Sequence, residues 1–84
     1  MSSYVSARQA LRSSLEEELL RARELEAVGA KHLDVQEKRV AWLTAKKVRN
    51  PQSERLLNTM RETHKLQAGH VRLLEREVRE ASGK

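Results

Sequence analysis

Two series of apolar and small positions run through the chain, mirrored about Asn50-Pro51. The first reads Leu19, Ala22, Glu26, Gly29, Leu33, Gln36, Val40, Leu43. The second reads Leu57, Met60, His64, Gln67, Val71, Leu74, Val78, Ala81. Both advance by alternating threes and fours, the spacing of a coiled-coil seam. Folding the chain back at the dipeptide pairs Leu43 with Leu57, Val40 with Met60, Gln36 with His64, and Leu19 with Ala81. The pattern predicts an all-α fold, a long antiparallel helical hairpin, as one domain over residues 1–84.

Helix boundaries follow from the breakers. Asn50 is a strong N-cap and Pro51 suits a first helical position, while the residue before a proline leaves the α region. Helix 1 is expected over about 3–49, a turn at 50–51, and helix 2 over about 51–81, with Ser82-Gly83 as the stop. Ser13 with Glu16, and Ser14 with Glu17, are capping-box patterns that could start a helix there and leave residues 1–13 as a separate or frayed segment. Leu11 and Leu15 carry the apolar stripe across those serines, which favours one continuous helix from about Ser3. Gly29, within Ala27-Val28-Gly29-Ala30, and Ala68-Gly69 across the hairpin suggest close approach of the helices through small residues; a shared flexible point is the alternative.

A second stripe precedes the first by one residue. On helix 1 it comprises Leu25, Val28, His32, Val35, Arg39 and Trp42, and on helix 2 Thr59, Thr63, Leu66, His70 and Leu73. Two adjacent stripes make an apolar face wider than one partner helix covers. Leu25, Val28, Val35, Trp42, Leu66 and Leu73 are therefore the candidate partner-binding residues. A homodimer forming a four-helix bundle is the expected outcome, with a different helical protein as the other occupant.

Composition narrows the function classes. Ala, Glu, Lys, Leu and Arg dominate, as in long helices, and aromatics amount to Tyr4 and Trp42. The chain has no Cys, which removes disulfides and thiolate metal sites. No apolar run approaches the roughly 20 residues that span a bilayer, and the N-terminus lacks the apolar core of a signal peptide. A cytoplasmic, membrane-free protein is expected.

The net charge of +5 is uneven. Residues 31–61 carry eight basic and three acidic side chains, so the surplus sits at the folded-back end. Lys31, Lys38, Arg39 and Arg61 contribute, and Lys46, Lys47, Arg49 and Arg55 form the densest part. Clustered cations attract phosphates, so these last four are the candidate nucleic-acid or acidic-surface residues. No recognisable DNA-binding motif and no interleaved aromatic accompanies them. A solvated basic face is the plain alternative.

Catalytic chemistry finds no footing in the sequence. There is no glycine-rich phosphate loop, no nucleophile with a base, and no paired carboxylates at a site. His64 and His70 are six apart and lie on different helical faces, too poorly spaced for a helical metal site. No enzyme activity, cofactor or metal is expected. Gln36 and His64 share a predicted layer, where a hydrogen bond would fix register. His64-Lys65-Leu66-Gln67-Ala68-Gly69 faintly resembles a histidine phosphotransfer helix, but the seam places His64 inside.

Asn50-Pro51-Gln52-Ser53-Glu54-Arg55-Leu56-Leu57 resembles the Asn/Pro-bearing turn and following leucines of type III secretion needle and rod subunits. Those subunits are also helical hairpins of about this size. The resemblance covers roughly a tenth of the chain, and the charged segment from Val71 to Ala81 departs from that family's polymerising tail. It implies a small helical component or chaperone of a secretion-type assembly. The expectation that the residues themselves carry is a non-catalytic coiled-coil adaptor or scaffold, with nucleic-acid binding through the basic tip as the second.

Overall fold

The structure, a computed structural model, describes the backbone of residues 3–83 and the side chains of residues 7–83. Helix α1 spans Ser3–Ala45 and helix α2 spans Pro51–Ser82. They pack antiparallel as a hairpin with principal extents of 70 × 16 × 14 Å. At a rise of about 1.5 Å per residue the helices measure about 65 and 48 Å. The first turns of α1 therefore project beyond α2. Helix α1 runs without a break through Ser13 and Ser14, so the capping-box patterns there start nothing; the continuing Leu11–Leu15 stripe and good helix formers on both sides carry the helix across.

Every seam position read from the sequence is buried or half-buried. Leu19, Ala22, Val71 and Leu74 form the central cluster, with Leu15 and Val78 packed against it. Leu57 is buried nearer the tip. The seam is thin: among the described residues no side chain in it is fully enclosed, because two helices can cover each other along only one line.

The tip differs from the expected two-residue turn. Helix α1 ends at Ala45, short of the expected 49. Lys47 adopts the left-handed conformation, with φ of 59°. The Val48 N–H donates to the Leu43 carbonyl at 2.9 Å and the Lys47 N–H to the Thr44 carbonyl at 2.9 Å. This pair of bonds is a Schellman ending, in which a left-handed residue turns the chain and satisfies the last carbonyls. A lysine fills the place that glycine usually takes. At the other side of the tip Asn50 caps α2, its side-chain Oδ1 accepting from the Ser53 N–H at 3.1 Å, and Pro51 opens the helix.

Ending α1 early moves the middle of the connection from Asn50-Pro51 to Val48. Pairing along the hairpin slides with it by about one turn. Gly29 meets the Gln67 carboxamide where the mirrored series places Val71. A slide of one turn exchanges one set of seam positions for another, which is why the buried residues match the sequence although their partners do not.

Two expected contacts are corrected by this slide. Gln36, only 3% exposed, does not pair with His64; its amide Nε2 donates to the Ser53 carbonyl at 3.0 Å. Ser53 thus receives the α2 cap on its N–H and a bond from α1 on its carbonyl. The small residues do not face one another either. Gly29 accommodates the Gln67 side chain, whose buried Oε1 has no hydrogen-bond partner, and a Cβ on Gly69 would meet nothing within 4 Å. No helix among the described residues is long and apolar enough to cross a membrane.

Candidate functional site

The two sides of the hairpin have opposite chemistry. A step back of one residue from the seam turns each helix by about 100°. In two right-handed helices running in opposite directions, that step brings both stripes to the same side of the pair. Leu25, Val28, Val35 and Trp42 of α1 therefore share a face with Leu66 and Leu73 of α2. A step forward leads to the other side, and there the structure shows two bonds that cross between helices. Arg23 meets Glu75 at 2.9 Å and Arg61 meets Glu37 at 3.5 Å. All four residues follow a seam position by one, so the geometry and the ion pairs agree on which side is which.

All six candidate partner-binding residues are exposed. Leu25 is 61%, Val35 58%, Trp42 60% and Leu66 75% exposed, and Val28 and Leu73 are close to half. Leu56 and Leu11 belong to the same side and are also exposed. His32, Arg39, Thr59, Thr63 and His70 complete the stripe, exposed as well. Among the described residues the opposite side has one large apolar exception, Leu20. Near the middle of α1, Arg21, Glu24, Leu25 and Val28 line a shallow, largely apolar groove. Nothing in the hairpin covers this face, as the width of the double stripe predicts.

The basic candidates gather at the tip. Lys46, Lys47, Arg49 and Arg55 are all exposed. None of them makes an ion pair among the described residues. Lys46 Nζ lies 5.8 Å from the centroid of the Trp42 ring, within the range of a cation–π contact. No aromatic is interleaved with the basic residues along the sequence. The structure supplies one, and the spacing of four between Trp42 and Lys46 on a helix was the signal for it. Thr44, Lys47, Val48, Arg49 and Glu54 line a shallow, open depression at the tip.

Further along α1, Lys38 Nζ lies 2.9 Å from Asp34 Oδ2. The hydrogen bond to Asp34, and then its negative charge, hold the Lys38 ammonium above the ordinary lysine range. Among the described residues no group of His, Asp and Glu is placed to hold a metal ion.

No family model matches the chain, and no curated protein or solved structure matches it. The resemblance to secretion needle and rod subunits rests on the turn residues alone.

Proposed function

We propose that this protein is a non-catalytic coiled-coil adaptor or scaffold that acts through protein–protein contact on one face of the hairpin. The observation that carries the reading is the asymmetry of the two sides. One is crossed by interhelical ion pairs, and the other presents Leu25, Val28, Val35, Trp42, Leu66 and Leu73 to solvent. Burying each such side chain is worth about 1.5–3 kcal/mol, and large exposed apolar side chains gathered on one face are the usual mark of an interface. A reducing, cytoplasmic setting suits a chain without cysteine. Trp42→Glu is expected to abolish association with a helical partner or with a second copy while helicity by circular dichroism is retained. Association unchanged by that substitution would remove the reading.

A second reading, nucleic-acid binding at the tip, is favoured by the exposed Lys47, Arg49 and Arg55 and by the Lys46–Trp42 pair, which sets a cation beside an aromatic ring. Its affinity would fall steeply with salt as phosphate counterions are released. Lys46→Glu with Lys47→Glu would abolish it, whereas binding of RNA or DNA untouched by the double variant would refute it.

A further inference from the structure

We infer that the apolar face is closed by a second copy of this chain, with the two hairpins antiparallel so that the tip of each covers the open end of the other. The inference rests on the adaptor reading for its choice of face and names the occupant.

Area comes first. The chain exposes 6744 Å². A compact folded protein of 9.7 kDa exposes about 5,100 Å². The excess, roughly 1,600 Å², reflects the elongated 70 × 16 × 14 Å shape of the hairpin, against the about 800 Å² that an interface of standard size takes from each partner.

The spacing of the face fits a two-fold axis. Antiparallel hairpins packed face to face lay α1 on α1 and α2 on α2 of the other copy. On α1, an axis beside His32 brings Val28 opposite Val35 and Trp42 close to Leu25. On α2, an axis between His64 and Lys65 brings Leu56 opposite Leu73 and Leu66 beside its own symmetry mate. These two points must lie level for one axis to serve both helices. The observed register, in which Gly29 meets Gln67 and Arg61 meets Glu37, places them level. A two-fold interface of this kind is self-complementary, as closed dimers require.

Charge selects the orientation. The same axis sets Lys46 opposite Glu18, and it brings Glu77 and Glu80, at the open end of the α2 side of the face, toward the other copy's tip. Parallel hairpins would instead set two clusters of Lys46, Lys47, Arg49 and Arg55 side by side within a screening length of about 10 Å.

The test uses the full chain in sedimentation equilibrium across the micromolar range, at low and high salt. A dimer is expected that weakens as salt rises. Lys46→Glu is expected to weaken it roughly tenfold, and adding Glu18→Lys to restore it. Leu66→Glu is expected to give a monomer. If loss of the dimer also unfolds the chain, the charge exchange still decides, because it does not require the dimer to be lost. A monomer at every concentration overturns the inference and leaves the adaptor reading standing. A dimer that tightens with Lys46→Glu, or does not respond to it, overturns the antiparallel arrangement. A dimer indifferent to Leu66→Glu associates through another surface and overturns both this inference and the face assignment beneath it.

Discussion

The two sides of the hairpin are built on the same pair of helices and sit one residue from the same seam, yet they end up with different chemistry. On one side Arg23, Glu37, Arg61 and Glu75 reach across the seam and close it with long polar side chains. On the other the equivalent positions carry Leu25, Val28, Val35, Trp42, Leu66 and Leu73, which leave the seam open to a further layer. Ion pairs exposed to this degree contribute little to stability, about 0.2–1 kcal/mol each. Their effect is selective: they make one side self-sufficient in water and leave the other as the surface on which further burial is available.

The largest effects are expected where the proposed association would bury that surface. Trp42→Glu or Leu66→Glu on the apolar side is expected to weaken association by at least about a hundredfold, the range of a central interface residue. Arg72→Glu on the opposite side is expected to leave the association constant within about twofold. Equal losses from the two sides, measured by sedimentation equilibrium, would erase the distinction between them.

Stability of the hairpin separates the seam from both sides. Leu74, 3% exposed, is expected to lose about 2–4 kcal/mol on Leu74→Ala. Urea unfolding at fixed protein concentration reads this directly. Leu66→Ala, at 75% exposure, is expected to cost the isolated hairpin less than about 0.5 kcal/mol. A larger cost for Leu66→Ala that grows with protein concentration would report the partner layer.

Backbone conformation gives effects of about 1 kcal/mol. Lys47→Gly is expected to stabilise the tip by about that amount, because glycine adopts the left-handed region without the penalty a lysine bears. Gly69→Ala is expected to add about 0.5–1 kcal/mol, since the new methyl meets nothing. Gly29→Ala is expected to gain less, because the Gln67 carboxamide must first move aside. Thermal melts of the three variants rank them.

The smallest effects belong to the polar side. A double-mutant cycle on Arg23 and Glu75 is expected to give about 0.5 kcal/mol at low salt and to vanish at high salt. The Lys38 contribution runs with pH in one direction. Its ammonium is held above the ordinary value by Asp34, so the small stabilisation is fully present below the unfolded lysine pKa and disappears as pH rises through the folded one. NMR titration of Lys38 in the wild type and in Asp34→Asn is expected to show that pKa falling in the variant.

Periodicity made the fold legible. Hydrophobic spacing located the seam, and Asn50-Pro51 announced the start of α2 with its cap. It also located the exposed stripe, because a residue one step from a seam position can be inside only if a third helix is present. What periodicity could not supply was register. That depends on where α1 stops, and α1 stops at a left-handed lysine whose side chain gives no sign of its backbone conformation. The Gln36–Ser53 bond and the Gln67–Gly29 contact both follow from the resulting slide. The tip's aromatic partner was legible in the spacing of Trp42 and Lys46, but only once Trp42 is read as a neighbour of the basic cluster as well as a member of the stripe.

The capped turn also bears on how the molecule ages. Asparagine in an exposed loop commonly deamidates when the backbone nitrogen of the next residue attacks its side-chain amide and closes a succinimide ring. Asn50 is followed by proline, whose nitrogen carries no hydrogen to lose, and its side chain is occupied by the Ser53 N–H. The connection between α1 and α2 is closed to that reaction, so the cap that sets the start of α2 is not lost through attack by the following nitrogen.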